Sequence, residues 1–97
     1  MSKPLYKQLF DDMYSLIVEL KQIIQERKEI APALDNFEKP DYLNTVKQFE
    51  MLIERENKIY EFIYGALGDA YAFQPFLSIR QKGVKRFLEL MNKFLAS

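Results

Sequence analysis

Apolar residues recur at alternating steps of three and four through the first third of the chain. The positions that keep this step are Tyr6, Leu9, Met13, Leu16, Leu20, Ile23 and Ile30, with Arg27 as the polar member. A second column at steps of seven runs beside it through Phe10, Ile17, Ile24 and Ala31. Because residues three and four apart share one face of an α-helix, the pattern predicts an amphipathic helix whose apolar side must be buried.

The limits of this first helix follow from its capping and proline signals. Ser2 is predicted as the N-cap, and the helix is predicted to fade near residues 28–31 because Pro32 disfavours helical geometry just before it. Residues 33–39 are predicted as a polar connector in which Phe37 packs back onto the bundle.

A second amphipathic pattern begins after Pro40 and Asp41, which resemble a helix start. Its apolar positions are Tyr42, Val46, Phe49, Ile53, Tyr60, Ile63 and Leu67. Glu56 interrupts them, inside the polar run 54–58. Two interpretations stay open: a solvated turn that no neighbour covers, which we favour, or a buried polar layer that fixes helix register.

Two glycines disturb the end of the second pattern. Gly65 and Gly68 indicate a helix end, a bend or a close backbone contact, because glycine is costly inside a helix. Asp69 could then cap a short helical turn over residues 70–73.

A last amphipathic helix follows, with Pro75 in its first turn or, as a rival start, Ser78 as its N-cap. Gly83 could kink it. Its predicted apolar face consists of Leu77, Val84, Phe87, Leu88, Met91, Phe94 and Leu95.

These elements predict an all-α protein. The 97 residues are expected to form a single domain, residues 1–97, built as an antiparallel, four-helix-bundle-like arrangement. It would have three long helices, with one short helix between the second and the last. No stretch approaches the roughly 20 apolar residues that span a bilayer, and no secretory signal is evident, so we expect a soluble, cytoplasmic protein.

Composition removes most enzymatic chemistry. The chain has no histidine and no cysteine, which excludes Ser-His-Asp triads, thiol nucleophiles and zinc–thiolate sites. Its three glycines fit no phosphate-binding loop. Glu50, Glu54 and Glu61 share one helix flank, where they are expected to be solvated. We therefore predict a protein that is not an enzyme and has no cofactor or metal. The 14 cationic residues equal the 14 acidic ones, so no net charge favours nucleic acid.

One enzyme class tolerates this composition. The segment 17–20, Ile-Val-Glu-Leu, followed by Gln25, Glu26 and Arg27, resembles the first helix of small all-helical chorismate mutases. Those enzymes hold a dianionic substrate with Arg, Lys, Glu and Gln side chains. The chain lacks the second arginine expected upstream of Arg27, so this remains a remote alternative.

Two local features point to the last third of the chain as the working end. Six aromatic residues fall within residues 60–76, and their density suits either core filling or a contact surface. Four cations without an acid fall within residues 80–86, as either a solvated face or a patch for an acidic surface or lipid headgroups. The predicted partner-binding residues are Tyr64, Asp69, Tyr71, Phe73, Phe76, Arg80, Lys82, Lys85 and Arg86.

The same region carries a resemblance to a known family. Residues 66–73, Ala-Leu-Gly-Asp-Ala-Tyr-Ala-Phe, followed by an amphipathic helix ending in Phe-Leu-Glu-Leu at 87–90, are similar to the junction before the last helix of immunity proteins against pediocin-like bacteriocins. The resemblance implies an antiparallel four-helix bundle that acts at the inner face of the bacterial membrane on the receptor complex that the bacteriocin attacks. It assigns contact roles to Asp69, Tyr71 and Phe73.

A third function class stays open beside these two. An amphipathic stripe left exposed on a small bundle could pair with a second copy of the chain, which would make the protein a self-associating structural or regulatory module.

Overall fold

The computed structural model describes residues 2–97, and within that range the chain is all α-helical, as predicted. The elements are α1 (Leu5–Asp12), α2 (Tyr14–Ile30), a 3₁₀ helix (Ala31–Asp35), α3 (Tyr42–Tyr71) and α4 (Leu77–Ala96). Three of the α-helices are long and one is short. The short one is α1, at the start of the chain, and not a turn between the second and last long helices.

α1 and α2 form one bent rod. The backbone N–H of Met13 donates to the Leu9 carbonyl at 3.0 Å, and the Met13 carbonyl accepts from Ile17 at 3.0 Å, so hydrogen bonds bridge the junction. The rod begins two residues later than predicted, because Pro4 rather than Ser2 occupies the N-cap and its carbonyl accepts the first helical hydrogen bonds.

α3 begins after Asp41 as predicted and continues for 30 residues, about 45 Å, through both Gly65 and Gly68. The expected helix end at these glycines is wrong, and so is the close contact, because in the described structure a Cβ at either position would meet nothing within 4 Å. Asp69 lies inside the last turn rather than at a cap. Burial of Ile63, Leu67 and Tyr71 along one face explains the continuity, because packing outweighs the helix propensity of two glycines.

α4 begins between the two starts that the sequence offered. Phe76 is its N-cap in extended geometry, so Pro75 precedes the helix and Ser78 lies inside it. Gly83 also lies within α4, which runs unbroken from Leu77 to Ala96.

The three rods run up, down and up. α3 is antiparallel to the α1–α2 rod and to α4, so α4 runs in the same direction as α1–α2. The ring of Phe10 lies 6.3 Å from Phe87 and 6.0 Å from Phe94, and Lys21 Nζ donates to Ser97 Oγ at 2.9 Å. The result is an elongated bundle with extents of 57 × 23 × 19 Å.

The predicted apolar columns supply the core. The buried apolar residues are Phe10, Met13, Ile17, Leu20, Ile23, Ile59, Ile63, Leu67, Tyr71, Phe87 and Met91. Phe37 contradicts its prediction because it is 74% exposed, with its ring centroid 5.5 Å from that of Tyr42. Leu77, placed on the apolar face of the last helix, is 64% exposed.

The core does not extend along the whole bundle. α4 ends beside Lys21, so the far part of the α2–α3 hairpin has no third long helix, and the short 3₁₀ helix packs against both of its helices. Val46, Phe49 and Ile53 are half-buried there, and Leu43 and Met51 are exposed. We call residues 24–53 the distal hairpin.

Candidate functional site

The turn that joins α3 to α4 presents apolar side chains to water. We call residues 72–79 the corner. Phe73 is 93% exposed, Phe76 and Leu77 are each 64% exposed, and Ile79 is 43% exposed. Isolated exposed apolar residues are ordinary, but four within seven residues at one end of a rod form a patch that favours a contact surface.

Backbone hydrogen bonds hold the corner in shape. The N–H of Gln74 donates to the Tyr71 carbonyl at 3.2 Å, and the Phe76 carbonyl accepts from Ile79 and Arg80 at 3.1 and 3.3 Å. The Nε of Arg80 donates to the Gln74 carbonyl at 3.0 Å. Arg80, predicted as a partner contact, therefore closes the turn that displays Phe73 and Phe76.

Tyr71, also predicted to bind a partner, is a packing residue. It is 5% exposed, and a Cβ placed on Gly83 would overlap its ring. Gly83 thus allows α4 to approach the end of α3 closely, whereas the sequence suggested only a kink at this glycine. Burial raises the pKa of the Tyr71 hydroxyl, and the nearby Tyr6 raises it further.

The four cations after the corner do not form one patch. Lys82 and Arg86 line a surface groove of about 280 Å³ between α4 and α1, beside Tyr6. Lys85 lies on the other flank of α4, along a groove of about 460 Å³ with Val84 and Leu88. Residues 70–88 nevertheless contain no carboxylate, so the whole segment is locally cationic.

Tyr64 and Asp69 complete the predicted set, and both are exposed on α3. The Tyr64 ring stacks on Tyr60 with centroids 6.1 Å apart, one helical turn away. Asp69 is one turn before the corner and is the carboxylate nearest to it along α3. The structure thus gathers Phe73 and Phe76 into one patch near Asp69, and places Tyr64 about 10 Å further along the helix.

The sequence-based interpretation gave too little weight to a polar contact between α2 and α3. Arg27 Nη2 donates to Glu56 Oε1 at 3.2 Å, and Arg27 Nε lies 3.1 Å from Glu56 Oε2. Glu56 is buried, so the favoured interpretation of a solvated turn is wrong at this position, although residues 54, 55, 57 and 58 beside it are exposed. The alternative of a buried polar layer holds for Glu56, whereas Arg27 is half-buried and its Nε makes no hydrogen bond within the described structure. The available signal was charge: an arginine in the apolar column of one helix matches a glutamate in that of its antiparallel neighbour.

A second, more exposed ion pair joins the same two helices. Arg55 donates to both carboxylate oxygens of Glu19, at 2.8 and 3.1 Å. These hydrogen bonds lower the pKa of Glu19, and Glu19 raises that of Arg55. Together with Arg27 and Glu56, this bidentate contact joins α2 to α3.

Neither a metal site nor a membrane-spanning helix is found among the described residues. Among residues 2–97 no group of three acidic side chains is placed to hold a metal ion. Glu50, Glu54 and Glu61 are exposed, and Glu54 contacts Lys58 at 3.3 Å. No helix between Ser2 and Ser97 combines the length and the apolar character needed to cross a bilayer.

No family model, no curated protein and no solved structure matches the chain. The likeness of residues 66–73 to bacteriocin immunity proteins therefore stays a prediction.

Proposed function

We propose that the chain is a non-enzymatic binding protein that engages a membrane receptor complex through the corner, as an immunity protein of the pediocin-like type would. The observation that supports this most directly is the exposure of Phe73 and Phe76 beside a segment with four cations and no carboxylate. Aromatic anchors flanked by charges of one sign are a common composition for a binding surface.

The fold also favours the corner as the binding surface. The corner is backed by the three-rod core, where Ile63, Leu67 and Phe87 are fully buried, so its shape is set before any partner arrives. A preorganised patch loses less conformational entropy on binding than a flexible one. Opposite charge on the partner would speed encounter with the cationic start of α4.

The experiment is a comparison of corner variants in a bacteriocin-sensitive host and in capture from its membranes. Phe73→Ser with Phe76→Ser should abolish both survival and capture of an integral membrane protein. The matched control is Phe37→Ser, which removes an equally exposed phenylalanine at the other end of the rod. Equal protection by the corner double variant, folded by circular dichroism, would refute the proposal.

Charge reversal supplies a second arm. Lys82→Glu, Lys85→Glu and Arg86→Glu should reduce protection strongly, and Arg80 is left unchanged because it closes the corner. If wild type protects against no pediocin-like bacteriocin, the immunity assignment falls.

A second candidate function is favoured by the distal hairpin. Its half-buried residues Val46, Phe49 and Ile53, with Leu43 and Met51 exposed nearby, offer a face on which a second copy could pack. Sedimentation equilibrium across micromolar concentrations separates the two candidates, because a monomer throughout that range argues against a homodimer and leaves the corner proposal intact.

A further inference from the structure

We propose that the corner itself inserts into the surface of an anionic lipid bilayer. Phe73, Phe76 and Leu77 would enter the boundary between acyl chains and headgroups, while the cations of α4 contact the headgroups. This inference rests on the proposed function in taking the corner as the working end. It goes further because the ligand is the lipid surface itself.

The first support is the shape of the patch. The corner lies at one end of a bundle that is 57 Å long and about 20 Å across, so it can enter a surface without the rest of the protein interfering. Its exposed side chains project from a tight turn rather than from a groove, a shape that suits a soft, deformable surface better than the pocket of a rigid partner. Phe73, at 93% exposure, has almost no protein around it.

The second support is that several polar groups of the corner backbone are bonded within the protein. Lipid offers no hydrogen bonds, so polar backbone groups that enter it must already have partners. At the corner the Gln74 N–H bonds to the Tyr71 carbonyl, the Gln74 carbonyl accepts from Arg80, and the Phe76 carbonyl accepts two amide donors. The amides of Phe73, Phe76 and Leu77 have no such partner in the described structure, so the backbone would stay at the level of the headgroups, where water is present, and only the side chains would reach the acyl chains.

The third support is the placement of charge. Arg80 and Lys82 fall in the first two turns of α4, about 5–8 Å along the axis from Leu77, and Lys85 and Arg86 about 12–14 Å. The nearer pair reaches headgroups when the phenylalanines are inserted, and the farther pair reaches them when the rod tilts. Screening over about 8 Å makes the nearer cations the stronger contributors.

Charge also orients the rod. At the opposite end, residues 35–41 carry Asp35, Glu38 and Asp41 against one cation, Lys39. An anionic surface attracts the corner and repels the far end, although the whole chain has no net charge. The protein should therefore stand on its corner rather than lie flat.

The test uses the full chain with protein-free vesicles of phosphatidylcholine alone or of an equimolar mixture with phosphatidylglycerol. Wild type should co-sediment with the anionic vesicles, less so at high salt, and weakly with the neutral ones. Phe73→Ser with Phe76→Ser should weaken binding roughly tenfold or more, since two inserted rings are lost. The matched control Phe37→Ser should bind as wild type.

Charge variants test the electrostatic part. Lys82→Glu should weaken binding by more than the fivefold or so that corresponds to the loss of one cation near an anionic surface. The matched control Lys39→Glu, at the far end, should leave binding unchanged. Asp69→Asn removes the carboxylate nearest to the corner on α3 and should tighten vesicle binding. A protein partner that recognises Asp69, as the family resemblance implies, would instead bind this variant more weakly.

Insertion can be observed directly because the chain contains no tryptophan. In Phe76→Trp the single indole should shift its emission to the blue with anionic vesicles, and in Phe37→Trp it should not. Absence of wild-type binding to anionic vesicles, or equal binding by the folded corner double variant, would overturn the lipid inference. Capture of a membrane protein through the corner without vesicle binding would leave the proposed function standing. Vesicle binding without protection or capture would leave the lipid inference standing and would contradict the proposed function.

Discussion

At the scale of single residues, Gly83 decides how closely α4 approaches the end of α3. A Cβ at this position would overlap the ring of Tyr71, which is almost fully buried and has little room to move. Gly83→Ala gains about 1 kcal/mol of helix propensity but introduces overpacking of about 1–3 kcal/mol. We expect a net loss of unfolding free energy in urea titrations. Tyr71→Val in the same chain should remove most of that penalty, and an equal penalty in both backgrounds would contradict the proposed contact.

The hydroxyl of Tyr71 adds a dependence on alkaline pH. Because burial raises its pKa in the folded protein, the unfolded chain loses this proton first as the pH rises. Its contribution to stability is therefore fully present below about pH 10, the unfolded value, and is lost above it. Tyr71→Phe should show a smaller fall in unfolding free energy between neutral and strongly alkaline pH than wild type does. Identical falls would show that Tyr71 does not contribute.

The ion pair of Arg27 and Glu56 is the less exposed of the two ion pairs that join α2 to α3. The Glu56 side chain is 11% exposed and that of Arg27 is 35% exposed, so removal of either partner leaves a poorly solvated charge. Glu56→Leu alone should destabilise by about 1–3 kcal/mol, less than a fully buried pair would lose. Arg27→Leu with Glu56→Leu should recover most of that loss. If the double variant is as unstable as the sum of the single ones, the pair is not coupled.

This pair also shows how much residue-scale detail could be predicted from the sequence. The polar interruption at Glu56 and the polar member at Arg27 are both visible in the apolar columns, yet neither column tells which residue lies opposite. Pairing depends on the register of two antiparallel helices, and the connector 31–41 between them contains a 3₁₀ helix that the sequence did not predict. The exposure of Phe73 and Phe76 was undetermined for the same reason, since aromatic density alone suits a core or a surface.

At the scale of elements, the long helices were predictable because their apolar faces keep one period over many residues. The C-terminal end of α2 follows from Pro32, and the start of α3 follows from Asp41. The sequence misled where propensity and packing disagree. Two glycines in α3 suggested a break that the buried face prevents, and the rod of α1 and α2 bends at Met13, where no glycine or proline marks it.

The continuity of α3 makes a prediction about its glycines. Gly65 and Gly68 are exposed inside the helix, and within the described structure a Cβ at either position would meet nothing within 4 Å. Gly65→Ala and Gly68→Ala should each raise the unfolding free energy by about 0.5–1 kcal/mol, because alanine loses less backbone entropy on folding. Gly83→Ala makes the same substitution at a third helical glycine and is expected to change the unfolding free energy in the opposite direction. Destabilisation at Gly65 or Gly68 would mean that α3 does not pass through them as an ordinary helix.

At the scale of the whole molecule, burial is concentrated in the half nearest the corner. Ile17, Leu20, Ile63, Leu67 and Phe87 lie where three rods meet, and α3 has no buried residue before Glu56. The end that carries the corner has three packed rods behind it, whereas the distal hairpin has two helices, a 3₁₀ helix and half-buried side chains.

Amide hydrogen exchange should therefore divide α3 into two parts. Residues 59–67 should exchange only through global unfolding, whereas residues 42–53 should open locally at a lower free energy, because fewer apolar contacts oppose opening there. A dependence of this second part on protein concentration would reveal a second copy packed on the distal hairpin, since binding stabilises only the closed form. Uniform protection along α3 at every concentration would show instead that the two ion pairs and the 3₁₀ helix couple the hairpin to the core. The apolar residues at Leu43 and Met51 would then need no partner to explain the stability of that end.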